Sequence, residues 1–214
     1  LYILTHYQSP EKIANMNAKS YEALRKKSRG KFSMVKFAQL KTLAKNTVGR
    51  SDAFLLKQME ITIDIENQLD AKIDEIESQI LQCIRARNPP ILTIPGIGEL
   101  TAAIILSEYG NINKFENPAQ LLSFAGLEPG YYQSGLAEHQ GHMVKHGSSH
   151  LRYALMNACL PLITYEPVFA EYYAKKRAEG KPHRVALTHV AKKLLRVIFT
   201  LQTKNISYDP TLIR

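Results

Sequence analysis

Apolar and polar residues alternate most regularly in residues 51–87, the segment we call the arm. Apolar residues recur there in steps of four and three, and acidic residues occupy positions between them. The apolar set is Leu69, Ile73, Ile76, Ile80 and Cys83, and the acidic set is Asp64, Glu66, Asp70, Asp74, Glu75 and Glu77. These steps correspond to the a and d positions of a coiled coil. The pattern therefore predicts one long helix with an apolar seam.

Such a seam is stable only against another helix, and the sequence leaves the partner open. We favour an antiparallel hairpin with the preceding helix, an arrangement that also permits dimerisation. Pairing between subunits and a plain structural arm are the alternatives. Ser51-Asp52 offers an N-cap where the arm begins, and Asn88-Pro89-Pro90 ends its helix.

Residues 9–50, which precede the arm, are basic and rich in helix-forming residues. Ser9-Pro10-Glu11 resembles a capped helix start. The basic residues are Arg25, Lys26, Lys27, Arg29, Lys31, Lys36, Lys41, Lys45 and Arg50. Two interpretations stay open for them, a surface that faces phosphates and a solvated helix face.

Residues 91–205, which follow the arm, show helical spacing in five segments. These are Thr101–Tyr109, Pro118–Ala125, Ser149–Tyr165, Pro167–Glu179 and His183–Thr203. Residues 128–147 are rich in Gly and His and lack periodicity, which predicts an extended or hairpin loop. The fold class predicted is mainly all-α. Residues 1–88 form the basic segment and the arm, and residues 89–214 form a helical domain.

The amino-acid composition indicates a polyanionic binding partner. The 214 residues include 28 Lys or Arg and 19 Asp or Glu, a net charge of +9 that suits nucleic acid. Two distant cysteines argue against a disulfide framework or a zinc site and favour a reducing compartment such as the cytoplasm. No apolar run is long enough to span a membrane. Because Leu1 rather than methionine opens the chain, we expect a piece of a longer protein.

Residues 91–102 read Ile-Leu-Thr-Ile-Pro-Gly-Ile-Gly-Glu-Leu-Thr-Ala, the form of a helix-hairpin-helix turn (about residues 91–110). Two glycines one residue apart allow a tight turn and close backbone approach. The N–H groups of the next helix can then hold a DNA phosphate without reading its base. The predicted DNA contacts are Pro95, Gly96, Ile97 and Gly98. The alternative is a helix connection that binds no ligand.

Residues 126–150 contain the second candidate site. Ser134 stands beside Gly135, and a serine next to glycine in a loop can present its hydroxyl to a bulky substrate. Taken alone, this pair indicates only a turn. The basic or titratable residues that follow it are His142, Lys145, His146 and Arg152. The histidines at 139, 142, 146 and 150 lack metal-site spacing, so we expect no metal here.

Four motifs occur in a fixed order: Pro-Gly-Ile-Gly, then Phe-x-x-x-x-x-Leu-x-x-Phe-Ala-Gly-Leu-x-Pro, then Gln-Ser-Gly, then Lys-x-Gly-Ser-x-x-Leu-Arg. Together, across residues 91–158, they resemble the C-terminal transposase domain of the insertion-sequence 110/116/902 family, which includes the Piv-type DNA invertases. The preceding arm is similar in kind to the coiled coil of those proteins.

The resemblance implies a site-specific recombinase with an N-terminal RuvC-like domain that binds Mg²⁺ through four acidic residues. It implies strand exchange through a nucleophilic serine and, in some members, a structured guide RNA. The arm itself favours a homo-oligomer. Carried onto this sequence, the nucleophile falls on Ser134 beside Gly135. Lys145, Gly147 and Arg152 occupy the basic element that contacts DNA.

The chain departs from the family pattern in two places. Val144 stands where many relatives have Ser or Thr, which favours Ser134 as the nucleophile. Ser148 and Ser149 remain the runner-up nucleophiles. Further alternatives are Tyr131 and Tyr132, which could also stack on bases or simply pack the loop. The acidic metal site is missing from these residues, so this chain needs no cofactor of its own and is expected to be inactive alone. A binding and dimerisation module without chemistry, and a purely structural role, stay open as alternatives.

Overall fold

A computed structural model describes residues 1–48, 52–134, 137–143 and 146–212. Most of these residues are helical, which confirms the predicted mainly-α class. None of the helices within those ranges is long and apolar enough to cross a membrane. The chain divides into two compact units, Leu1–Glu75 and Ile76–Arg214. The predicted division at residue 88 separates sequence features and stays a prediction.

The first unit begins with four short helices, and the arm follows them. They are α1 (Tyr2–Tyr7), α2 (Pro10–Ala14), α3 (Ala18–Lys27) and α4 (Met34–Lys45). Met16, Leu24 and Phe37 form their buried core, and α2 packs on α4. Ser9 caps α2, as the sequence predicts, because its hydroxyl accepts from Lys12 N at 3.3 Å. We call residues 1–48 the basic bundle.

The arm forms a single helix, α5 (Ala53–Arg87), of 35 residues. Its apolar seam is open to solvent, since Leu69, Ile73 and Ile76 are 58%, 52% and 55% exposed. The expected antiparallel hairpin with the preceding helix is therefore wrong. The physical reason is that α4 turns Phe37 and Leu40 into the core shared with α2 and α3, which leaves the seam without that partner.

The second unit surrounds α10 (His183–Lys204) with the remaining helices. They are α6 (Glu99–Tyr109), α7 (Pro118–Phe124), α8 (Ser149–Tyr165) and α9 (Pro167–Ala178), with short 3-10 helices at Pro90–Thr93, Ile112–Lys114 and Pro210–Leu212. α10 packs against α7, α8 and α9. Val190, Leu194, Leu195 and Ile198 are fully buried, each side chain contributing about 1.5–3 kcal/mol of hydrophobic free energy.

Between α7 and α8 the chain forms a β-hairpin, which confirms the hairpin form of the predicted loop. Strands β1 (Pro129–Ser134) and β2 (Ala137–Met143) pair antiparallel. The ladder runs from Pro129 opposite Met143 to Ser134 opposite Ala137, with an irregularity between Pro129 and Tyr131. We call the end near Pro129 the hairpin base and the end at Ser134 the hairpin tip.

Candidate nucleic-acid interface and serine hairpin

The two glycines of the turn before α6 have different surroundings. Gly96 has a φ of +85°, and a Cβ there would lie 2.9 Å from the Pro161 carbonyl carbon of α8. A side chain at Gly96 is therefore excluded twice, by backbone conformation and by the helix against it. The close backbone approach predicted for this turn occurs, and the backbone approached is that of α8.

Gly98 faces open space instead. Nothing lies within 4 Å of a Cβ built at Gly98, and its φ of −77° suits any residue. Gly98 is the N-cap of α6, and its carbonyl accepts from Ala102 N at 2.9 Å. A glycine provides no capping oxygen, so the first N–H groups of α6 have no side-chain cap from it. That end of α6 has the backbone chemistry of an anion site.

The first residue of α6 adds a charge pair that the sequence analysis missed. The Glu99 carboxylate accepts two hydrogen bonds from Arg85 at 2.8 Å, one from Nε and one from Nη2. The hydrogen bonds with Arg85 lower the pKa of Glu99 and raise the pKa of Arg85. Arg85 thus neutralises a carboxylate that would otherwise oppose a phosphate at this helix end. The two residues are 14 positions apart, so local spacing gave no signal of the pair.

At the hairpin base, residues at the start of α8 contact the C-terminal end of α7. We call this set of contacts, made by Gly147, Ser148 and Arg152, the clamp. Gly147 has a φ of +108°, and a Cβ there would lie 2.9 Å from the Phe124 carbonyl carbon and closer still to its oxygen. The Phe124 oxygen accepts from Ser148 N at 2.8 Å. The Phe-Ala-Gly-Leu and Gly-Ser-x-x-Leu-Arg motifs therefore touch each other, although about twenty residues separate them in sequence.

Ser148 has two structural roles in this clamp. Its hydroxyl accepts from Leu151 N at 3.0 Å, which caps α8, and donates to the Glu108 carboxylate of α6 at 2.6 Å. A hydroxyl held by both partners is poorly placed to attack a substrate. Ser149, the other alternative nucleophile, is the first residue of α8 and is exposed.

Arg152 also contributes to the clamp. Its Nη1 donates to the Ala125 carbonyl oxygen at 3.0 Å, and Leu151 beside it is fully buried. This bond ties α8 to the C-terminal end of α7. The guanidinium group still has further donors, so contact between Arg152 and DNA stays a prediction.

Ser134 lies at the other end of the hairpin, in the last pair of the ladder. It is five positions along the strand from Pro129, which corresponds to about 17 Å in an antiparallel strand. The structure thus places Ser134 at the hairpin tip, whereas Arg152 is held at the hairpin base. Gly135 and Lys145, both predicted to belong to the site, lie outside the described residues.

The remaining candidate features are metal-ligand clusters and the basic surface of α10. Within the described ranges, no group of three His, Cys, Asp or Glu residues is arranged to hold a metal ion.

On α10, Lys193 Nζ lies 5.0 Å from the Tyr172 ring centre and 5.6 Å from that of Phe169. Burial is the main cause that lowers the pKa of Lys193. Part of the basic surface of the last two helices therefore rests on aromatic rings of α9.

The clamp, the hairpin and the turn at Gly96 and Gly98, which we call the glycine turn, all lie in a stretch of sequence that matches a known protein family. Residues 88–174 match the sequence profile of the IS116/IS110/IS902 transposase family. The match begins before the turn at Gly96 and extends into α9. It includes every motif residue described above.

Individual relatives agree with this match. The chain is 31% identical over 136 residues to the uncharacterized 43.6 kDa protein of insertion element IS110 from Streptomyces coelicolor, covering 63% of this chain and 34% of that protein. It is 28% identical over 168 residues to the pilin gene-inverting protein of Moraxella bovis, covering 75% and 52% respectively. An IS900 protein of Mycobacterium paratuberculosis aligns with 98% of this chain and 54% of its own length, at 24% identity. The chain thus spans about a third to a half of these relatives.

Proposed function

We propose that this chain is the DNA-handling and nucleophile-bearing part of an insertion-sequence transposase that acts as a site-specific recombinase. The observation that carries the proposal is the position of Ser134 at the hairpin tip, within a segment that matches the transposase family. The clamp supports it, because a firmly held base lets the tip project toward a large substrate such as duplex DNA.

The proposed reaction consists of two phosphoryl transfers. In the first, the Ser134 oxygen attacks a phosphodiester, the oxygen–phosphorus bond forms, and the bond to the leaving strand breaks. The serine proton leaves to a base, and the departing strand oxygen takes up a proton. In the second, a strand hydroxyl attacks the phosphoserine and regenerates Ser134. Each step exchanges one phosphoester for another, so no nucleotide hydrolysis is needed.

Binding at the glycine turn would be sequence-neutral. The exposed N-terminus of α6 and Gly98 would hold a backbone phosphate, and Lys145 and Arg152 would add cations. A structured guide RNA is a further proposed partner that would supply target choice. Within the described ranges the residues do not fit a Mg²⁺ site, and we propose that such a site belongs to an acidic domain outside this chain.

The arm is proposed to join two copies of the protein. Its seam of half-exposed Leu and Ile residues is a costly surface for a monomer in water. Ile73→Glu should convert the dimer to a monomer in sedimentation experiments. The matched control is Ala71→Glu, which adds the same charge to an exposed position off the seam. A monomeric wild type, or equal effects of the two variants, would contradict arm pairing.

The decisive test of the chemistry traps a covalent intermediate. The protein with its acidic domain attached is incubated with Mg²⁺, labelled element-end DNA and its RNA, then quenched in denaturant. We expect a DNA–protein adduct that maps to Ser134, is absent in Ser134→Ala and persists in Ser149→Ala. An adduct at another residue would overturn the assignment of Ser134.

A second candidate function has its own support. Ser148 and Arg152 are held at the hairpin base, so the length of the ladder separates both from Ser134 at the hairpin tip. In this alternative the chain only binds nucleic acid and dimerises, and all chemistry belongs to the acidic domain. Strand cleavage without any adduct in the trapping experiment would select it.

A further inference from the structure

The net charge of the chain is concentrated in the basic bundle. Residues 1–48 contain ten Lys or Arg but only two carboxylates, Glu11 and Glu22, a balance of +8 where the whole chain carries +9. Helix α5 has the opposite balance, with four basic and seven acidic residues. At least eight cations of the bundle thus have no carboxylate available within it. Such like-charge concentration destabilises a small folded unit unless an anion relieves it.

The densest part of this charge runs from the last turn of α3 to the first turn of α4. Residues 25–36, which we call the cationic turn, include six cations and no carboxylate. They are Arg25, Lys26, Lys27, Arg29, Lys31 and Lys36, and all six are exposed. Lys27 also lies 5.8 Å from the ring centre of Tyr2, which draws it toward the bundle.

The cationic turn has a well-satisfied backbone. Gly30 N donates to Arg25 O at 2.8 Å, and Arg29 and Gly30 adopt left-handed φ values of +51° and +80°. The Ser28 hydroxyl accepts from Phe32 N at 3.0 Å. These bonds close the C-terminal end of α3 in the manner of a Schellman motif. Ser33 then caps α4 by accepting from Lys36 N at 3.3 Å.

Two buried anchors hold this turn in place. Leu24 on α3 and Phe37 on α4 belong to the core of the bundle, one on each side of the turn. The cations therefore project from a pre-organised frame, which lowers the conformational entropy lost when they meet a ligand. A solvated helix face has no need of such concentration on one turn.

We propose that the cationic turn binds the phosphodiester backbone of duplex DNA. This is a second contact, separate from the glycine turn and the serine hairpin, and it goes beyond the proposed function. A duplex presents one negative charge per about 1.7 Å of axis, a high density that suits six exposed cations within twelve residues. Within the turn the single aromatic residue, Phe32, is half-buried and packs on the core, so a base-stacking platform for single strands is missing.

The first experiment measures duplex affinity of the full chain against salt concentration. Arg25→Gln, Lys26→Gln and Lys31→Gln are combined in one variant. The matched control combines Lys12→Gln, Lys19→Gln and Lys45→Gln, three exposed lysines of the same bundle, with the same loss of charge. Each lost phosphate contact should reduce the log–log salt slope by about 0.9, so the turn variant should lose about 2–3 units. The control should lose less than one.

The second experiment uses the unmodified protein and so does not depend on how variants fold. Lysine acetylation is mapped by mass spectrometry with and without a random-sequence duplex. Lys26, Lys31 and Lys36 should be protected at least severalfold, while Lys12, Lys19 and Lys45 should react as before. Equal protection of both sets, or equal salt slopes of both variants, would overturn the proposal.

Three further outcomes would also overturn it: tighter binding of duplex RNA, tighter binding of single strands, or protection that appears without DNA through self-association with an acidic arm. Both measurements can be repeated in Ser134→Ala, because they do not require strand cleavage. Failure of the serine chemistry therefore leaves this test intact, and failure here leaves the serine assignment intact.

Discussion

The hairpin base and the hairpin tip both lie in residues 88–174, but they obey different constraints. At the base, Gly147, Ser148 and Arg152 each have a defined partner on α6 or α7. At the tip, Ser134 ends a two-stranded ladder whose register is its only described support. Residues at the base hold the structure together, whereas the proposed nucleophile at the tip has no such structural role in the ladder. A substitution at the tip should lower activity and leave stability unchanged. Substitutions at the base should lower stability and leave the chemistry at the tip unchanged.

The largest expected effect is at the tip. Ser134→Ala should reduce recombination by at least about 10³-fold, because no alternative nucleophile occupies that place in the ladder. Duplex affinity and the free energy of unfolding should stay close to wild type. Recombination and binding assays on the same preparation check this. Activity within tenfold of wild type would show that the tip serine is not the nucleophile.

The next largest effect is at the base. Gly147→Ala should lower the free energy of unfolding by about 3 kcal/mol, since a Cβ meets the Phe124 carbonyl and φ is strained. Gly96→Ala should behave similarly against α8. Gly98→Ala is the control, because its Cβ would enter open space, and its stability should change by no more than about 1 kcal/mol. Denaturant unfolding measures the free energy of unfolding of the three variants. Equal losses of stability would contradict the close packing at Gly147 and Gly96.

A smaller effect is expected where Ser148 joins α6 to α8. Ser148→Ala removes both the α8 cap and the bond to Glu108, which should cost about 1–2 kcal/mol of stability. Glu108→Gln keeps an acceptor for the Ser148 hydroxyl and should cost less. Both variants should still form the adduct at Ser134. Loss of the adduct in Ser148→Ala with stability unchanged would instead make Ser148 a catalytic residue.

These contrasts also show what the sequence can predict. The helix Ser149–Tyr165 has the predicted bounds, because apolar spacing within one helix is a local signal. The division between Gly96 and Gly98 was not predictable, since the two glycines look alike in the motif and only the position of α8 distinguishes them. The Ser148–Glu108 bond spans forty positions, and no local pattern marks it. The seam indicated a helix correctly but carries no information on which helix covers it.

The smallest effect concerns the ion pair beside the glycine turn. Arg85 holds the pKa of Glu99 below its ordinary value of 4.5, so the pair stabilises the protein above that pH and loses its contribution as the pH falls through the lowered pKa. In Arg85→Gln, stability should therefore fall less steeply as the pH drops below 4.5, and the difference should be small because both groups are exposed. Acid titration of the melting temperature measures it.

The same variant leaves the Glu99 carboxylate unneutralised at the N-terminus of α6, and should weaken duplex binding at low salt. Glu99→Gln removes that carboxylate and should strengthen binding. If both variants bound duplex DNA equally, this end of α6 would not be a phosphate site, and the turn at Gly96 would serve only to pack α6 against α8.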